Sequence, residues 1–176
     1  GLLGEWNGAL HLPEALQGLE SWMRQHEAKL EEMMLGFLDM QNSADLLVNV
    51  LVIGLSAAFC EELFFRGMLQ NFLVKSTNNK HIAVWIAAFL FSLLHLQFLG
   101  FFPRMLLGAM LGYFYLWSGS IWVPILGHFV NNAAQVVIIY VMQQHYSLEE
   151  LVSNDMQYGP SWIGYISLAL ILVLLG

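Results

Sequence analysis

Residues 46–74 read LLVNVLVIGLSAAFCEELFFRGMLQNFLV, an apolar run interrupted in its second half by two adjacent glutamates and an arginine. A run of about 17–25 apolar residues is long enough to cross a bilayer as a helix. Several further runs of this kind follow along the chain. The full set is Leu46–Val74, Ile82–Gly100, Phe101–Trp117, Ile121–Met142 and Ser161–Gly176. The sequence therefore predicts an all-α fold, a polytopic integral membrane helical bundle with at least five apolar helices.

The composition supports a membrane protein. Of the 176 residues, 58% are hydrophobic and 11% are charged, and the mean hydropathy is +0.62. A soluble domain averages about 45–50% apolar and about 25% charged residues. The net charge of −7 argues against a nucleic-acid partner held by phosphate contacts. The lone Cys60 excludes an intramolecular disulfide.

The chain divides into three parts. Residues 1–45 form an N-terminal segment, residues 46–142 the membrane-embedded core, and residues 143–176 a polar acidic loop followed by a C-terminal membrane helix. Within the first part, apolar residues at helical spacing predict an amphipathic helix over Pro13 to Phe37, which lies at the membrane interface or across the bundle. A solvated linker helix is the alternative. The apolar positions are Leu16, Leu19, Met23, Leu30, Met33 and Phe37.

Polar residues interrupt the apolar runs of the core. A charge deep in a membrane helix costs about 2.5–3.5 kcal/mol to insert, so such residues mark functional sites by default. Glu62 and Arg66 lie four positions apart and are predicted to form an ion pair on one helix face. Glu61 points about 100° away from Glu62 and is expected to meet a different helix. The polar residues that mark a candidate site in these runs are Glu61, Glu62, Arg66, His95, His128, Asn131 and Asn132.

Polar residues on three of the runs lie at similar depths. Counted from the turn at 75–80, Glu61 and His95 each lie about 21 Å of helix rise into the bilayer. Asn132 lies about 16 Å into a run that starts on the same side, and His128 is one turn shallower. The sequence therefore predicts that these four side chains can converge. A carboxylate beside a histidine can take a proton from water, and a histidine with an asparagine can stabilise an oxyanion.

Three motifs on separate runs resemble those of a known family. They match Glu-Glu-x-x-x-Arg, Phe-x-x-x-His and His-x-x-x-Asn, and no motif position departs from the pattern. In this order they resemble the type II CAAX prenyl endopeptidases, whose bacterial branch is also called the bacteriocin-processing or Abi membrane protease group. The motifs are Glu61-Glu62-Leu-Phe-Phe-Arg66, Phe91-Ser-Leu-Leu-His95 and His128-Phe-Val-Asn-Asn132.

The resemblance implies an intramembrane endopeptidase of the glutamate type that works without a metal or other cofactor. It implies that Glu61 and His95 activate the attacking water. It implies further that His128 and Asn132 stabilise the oxyanion. Glu62 and Arg66 would then orient the site through their ion pair.

Two alternatives stay open. The first is a zinc-dependent membrane protease in which Glu62 or Glu61, together with His95 and His128, holds the metal. The helical His-Glu-x-x-His pattern of many zinc proteases is absent from the sequence. The second is a non-catalytic membrane immunity or scaffold protein of the same family, which would bind a peptide in the membrane.

The expected partners are the lipid bilayer and a peptide or membrane-protein substrate, prenylated or not. The short loops favour a bacterial protein, so the bacterial cytoplasmic membrane is the expected location. Gly108 and Gly112 form a Gly-x-x-x-Gly pair, which is predicted to let two helix backbones approach closely.

Overall fold

The structure is a computed structural model that describes residues 13–97 and 100–146. Over these residues every regular element is helical and no strand is present, which confirms the all-α prediction for this part of the chain. The fifth predicted apolar run, Ser161–Gly176, and most of the acidic loop 143–159 lie outside the described residues.

The described chain forms five helices after a short 3-10 turn at Glu14–Leu16. The four predicted runs of the core fall on α2 to α5. One boundary was wrong, because α3 ends at Leu94 rather than at Gly100, and His95 is its C-cap residue. The helices are α1 (Gln17–Leu38), α2 (Ser43–Thr77), α3 (Lys80–Leu94), α4 (Phe101–Ser118) and α5 (Trp122–Gln143).

Helix α2 changes its hydrogen-bonding pattern along its length. Val50–Ser56 and Leu63–Gln70 are π-helical, and the rest of α2 is α-helical. π-helical turns, with bonds from i to i+5, are rare and occur frequently at functional sites. The second π-helical stretch begins directly after Glu62 and contains Arg66.

Asparagines fix both ends of α2. The Asn42 side chain accepts hydrogen bonds from the backbone N–H groups of Ala44 and Asp45, and the Asp45 carboxylate accepts one from the Asn42 N–H. This reciprocal capping box satisfies donors that a helix start leaves free. After α2, Asn78 adopts the left-handed conformation, with φ of 51°, and Asn79 caps the start of α3.

Small residues let α3 and α4 pack closely. A Cβ added at Gly108 would lie 3.3 Å from the Ala88 Cα and 3.1 Å from the Phe91 Cδ1. A Cβ added at Gly112 would lie 3.0 Å from the Val84 Cγ1. The close helix approach predicted from the Gly-x-x-x-Gly pair is therefore present between α4 and α3.

Helix α1 lies where the amphipathic pattern predicts a helix. Its end is attached to the core helices, because the Asn49 Nδ2 donates to the Phe37 carbonyl at 2.7 Å. Just beyond α1, the Met40 N–H donates to the Gln143 Oε1 of α5 at 3.2 Å. The interfacial location of α1 stays a prediction. Its large exposed apolar side chains include Leu19, Trp22, Met33 and Phe37.

Two of the described helices, α2 and α5, are long and apolar enough to cross a membrane, judged by length and composition. Helix α3 is apolar but has only 15 residues. The described residues thus support membrane insertion with fewer spanning helices than the predicted five, and the larger number stays a prediction.

Candidate active site

Three buried polar side chains form a connected cluster between α2 and α5. The Glu62 Oε1 accepts hydrogen bonds from the Arg66 Nη1 at 2.7 Å and from the His128 Nδ1 at 2.8 Å. The side chains of Glu62, Arg66 and His128 are 0%, 1% and 4% exposed. The ion pair predicted from the four-residue spacing is confirmed, and one carboxylate oxygen joins it to a histidine on another helix.

Glu61 faces away from this ion pair, towards two histidines. Its Oε2 lies 3.9 Å from the His95 Nε2 and 3.8 Å from the His128 Nε2. That oxygen is buried and has no hydrogen-bond partner, although the Glu61 side chain as a whole is 30% exposed. Both distances exceed a direct hydrogen bond and suit a bridging water. The structure thus brings together three of the four predicted catalytic side chains, whose roles stay a prediction.

The Nδ1 atom of each histidine has a hydrogen-bond partner, which fixes the orientation of the ring. The His95 Nδ1 lies 2.7 Å from the Phe91 carbonyl oxygen, and a carbonyl oxygen can only accept. The His128 Nδ1 likewise donates to the Glu62 carboxylate. Each ring therefore carries a proton on Nδ1 and turns Nε2 towards Glu61. Such partners set the tautomer of a functional histidine.

Phe91 is a site residue to which the sequence assigned no role beyond its place in the Phe-x-x-x-His motif. Its ring is buried, with its centroid 4.9 Å from that of His95 and 5.7 Å from that of His128. The Arg66 Cζ lies 5.0 Å from the same centroid. Because its carbonyl also orients His95, Phe91 contacts all three cationic or basic groups around Glu61 and Glu62.

Asn132 lies one helical turn after His128 on α5. Its Nδ2 donates to the Ile53 carbonyl of α2 at 3.2 Å, and its Oδ1 accepts from the Asn131 Nδ2 at 3.3 Å. These contacts anchor Asn132 to the first π-helical stretch of α2. The Asn132 Nδ2 carries a second proton, and the predicted role of Asn132 as a hydrogen-bond donor to the oxyanion depends on that proton.

Among the residues that the structure describes, no group of three or more His, Cys, Asp or Glu side chains is arranged to hold a metal ion. The zinc ligands predicted from the sequence do not all face the same atom of His128. Glu62 contacts the His128 Nδ1, whereas the Nε2 atoms of His95 and His128 both face Glu61.

The fold and the site define a helical membrane protein with a carboxylate and two histidines gathered between its helices. Residues 43–134 match the family model described as type II CAAX prenyl endopeptidase, Rce1-like. The match covers more than half of the chain and includes every motif residue, so the chain belongs to this family. Membership supports a membrane protease as the general class.

The chain is also similar to an uncharacterized protein of Bacillus subtilis named YpbD. The two are 33% identical over 89 residues, which cover 48% of this chain and 42% of that relative. The chain thus spans less than half the length of the curated relative that it matches. No solved structure gives a significant match.

Proposed function

We propose that the chain is a membrane-embedded endopeptidase that hydrolyses a peptide bond by direct attack of water, without a metal. The observation that carries the proposal is the position of the Glu61 Oε2, buried and unpartnered between two Nε2 atoms at 3.8 and 3.9 Å. A water molecule in this position would donate one hydrogen bond to the Glu61 carboxylate and the other to the His95 Nε2. Its lone pairs would then be free to attack a carbonyl carbon. Glu61 would take one proton from the water during the attack and pass that proton on to the leaving amine nitrogen.

His128 can stabilise the oxyanion that forms on the substrate in the proposed reaction. Its Nδ1–H is held by Glu62, and its Nε2 faces Glu61. A protonated His128 donates through Nε2 to the negative charge that develops on the substrate carbonyl oxygen. Asn132, one turn further along α5, supplies the second donor in this proposal.

In this proposal the bundle lies in a bilayer, with α3 and α4 alongside α2 and α5. Large apolar side chains cover the outside of the described helices, and such surfaces are rare on soluble monomers. The similarity to a Bacillus subtilis protein favours a bacterial chain, and we propose the bacterial cytoplasmic membrane as its location. The exposed apolar residues include Leu51, Val52, Phe72, Trp85, Phe89 and Leu126.

A zinc-dependent reaction is the second candidate, and one observation favours it. Metal-binding histidines usually donate their other ring N–H to a carbonyl or carboxylate, as both His95 and His128 do here. A zinc ion held by both Nε2 atoms would take Glu61 as its carboxylate ligand, because Glu62 lies on the Nδ1 side of His128.

The test uses detergent-purified protein and a peptide pool that includes farnesylated C-terminal peptides and bacteriocin leader peptides, read by mass spectrometry. We expect wild-type protein and the control Glu32→Gln, which makes the same change at an exposed position, to cleave, and Glu61→Gln to be inactive. Cleavage that resists a strong chelator supports the metal-free reaction. Cleavage lost on chelation and restored by zinc would assign the metal reaction instead. Peptide retained without cleavage by both wild type and Glu61→Gln would favour a binding protein.

A further inference from the structure

The buried Glu62–Arg66 pair continues into a longer row of polar side chains along α2. One turn after Arg66 lies Gln70, which is 2% exposed. The Arg66 Nη2 donates to the Gly108 carbonyl at 2.8 Å, and the Gln70 Nε2 donates to the Gly112 carbonyl at 3.1 Å. Two side chains four positions apart on α2 thus bind two carbonyls four positions apart on α4.

The glycines make these contacts possible. A Cβ added at Gly112 would lie 2.9 Å from the Gln70 Oε1, so any larger residue would displace the amide. At Gly108 the backbone lies against Ala88 and Phe91 of α3. The Gly-x-x-x-Gly pair therefore serves α2 as well as α3, because it admits polar side chains to the α4 backbone.

The row of polar side chains formed by Glu62, Arg66 and Gln70 is expected to contribute little to the stability of the fold. Gln70 Oε1, Arg66 Nε and Glu62 Oε2 are all buried without a hydrogen-bond partner. Each unsatisfied buried group destabilises the fold, and an apolar side chain of similar shape is often neutral or stabilising in its place. Stability therefore does not account for a glutamine at position 70.

The row ends at the candidate active site. The Gly108 carbonyl accepts a hydrogen bond from Arg66. Arg66 and His128 both donate to the Glu62 Oε1. The Nε2 of His128 in turn faces Glu61. A shift of α4 along α2 would move the Gly108 carbonyl and, through Arg66 and Glu62, the partner that holds the His128 Nδ1–H.

We propose that Gln70 is a positioning residue: by binding the Gly112 carbonyl it sets the register of α4 on α2, and so holds the Arg66–Glu62–His128 chain in its working arrangement. The effect on catalysis rests on the proposed function, whereas the effect on the His128 hydrogen bond does not. The two are therefore tested by separate measurements.

The first measurement is the imidazole NMR signal of ¹⁵N-histidine-labelled full chain in detergent micelles, with His128→Gln to assign the His128 resonance. We expect Gln70→Met to shift or remove the hydrogen-bonded Nδ1–H resonance of His128 while leaving thermal unfolding unchanged or raised. The control is Asn71→Ala, which removes another α2–α4 hydrogen bond, from the Asn71 Nδ2 to the Tyr115 Oη, and is expected to leave that resonance in place.

Gly112→Ala provides a second route, because it displaces the Gln70 amide without removing it. We expect it to change the His128 resonance as Gln70→Met does. An unchanged resonance in a folded Gln70→Met protein overturns the proposal, and so does failure of that variant to fold, since Gln70 would then act through stability.

The second measurement is turnover of whichever peptide the wild type cleaves. We expect Gln70→Met to lower kcat on the order of tenfold with KM nearly unchanged, as misplacement of a catalytic group does. A rise in KM with kcat unchanged would contradict the positioning role. If the wild type cleaves no peptide, the proposed function fails and the NMR result still decides the role of Gln70.

Discussion

The two adjacent glutamates are expected to respond in opposite ways to the same substitution. Glu62→Gln keeps the side-chain volume but removes the charge that accepts hydrogen bonds from Arg66 and His128 at 2.7 and 2.8 Å. The Arg66 guanidinium, 1% exposed, would stay buried without a counter-charge. Breaking a buried ion pair in this way costs roughly 3–5 kcal/mol of unfolding free energy.

Glu61→Gln removes a charge that is partly exposed and only loosely paired. The Glu61 side chain is 30% exposed, and its Oε2 lies 3.8 Å or more from either histidine. Because this oxygen makes no direct hydrogen bond that the substitution would break, and loosely paired charges contribute only about 0–1 kcal/mol, this variant is expected to unfold close to wild type. It should nevertheless lose cleavage, since the attacking water loses its carboxylate.

The assay compares both variants by titration with sodium dodecyl sulfate in mixed micelles, followed by far-ultraviolet circular dichroism. The predicted difference of roughly 3–5 kcal/mol corresponds to about 10²-fold or more in the unfolding equilibrium constant. Per folded molecule, Glu62→Gln should retain more activity than Glu61→Gln. Equal destabilisation by the two substitutions, or a Glu62→Gln protein within about 1 kcal/mol of wild type, would refute the assignment of one glutamate to the buried network and the other to the water.

Three further predictions follow from the same geometry. His95→Ala should abolish cleavage without unfolding the protein, because it removes the second hydrogen-bond acceptor that orients the water; retained turnover would contradict this role. Asn132→Ala should lower turnover on the order of 10²–10³-fold as a lost oxyanion donor, and a loss below about threefold would show that Asn132 only packs against α2. Gly108→Ala should lower the unfolding free energy by about 1–3 kcal/mol in the same titration, because its Cβ would lie 3.1 Å from the Phe91 Cδ1 and 3.3 Å from the Ala88 Cα; a neutral result would mean that α3 and α4 are less tightly packed.

Local features of the sequence were sufficient to predict the helices and the ion pair within α2. Long apolar runs predict helices because the backbone can satisfy its hydrogen bonds in a membrane only within a helix or a closed barrel. The Glu62–Arg66 pair follows from the four-residue spacing on one helix. It does not depend on how that helix packs against the rest of the chain. The end of α3 was less predictable, because the apolar residues after His95 continue the run while the chain turns.

Contacts between helices were decided only by the tertiary structure. Residue counting placed Glu61 and His95 at the same depth, but depth does not fix the direction in which a side chain points. That direction depends on how each helix is rotated against its neighbours, and in α2 it is changed further by the π-helical turns on either side of Glu61 and Glu62. The sharing of Glu62 by Arg66 and His128 joins residues of two helices, so no local pattern encodes it.

The sequence by itself therefore determined the class of the chain, its helices and the motif residues of the candidate site. The tertiary structure decided which side of His128 each glutamate occupies, and it showed that the two glycines of α4 present their carbonyls to Arg66 and Gln70. The physical reason is that hydrophobicity and helical periodicity act along a single segment, whereas a hydrogen bond between helices exists only once their packing has fixed both distance and rotation.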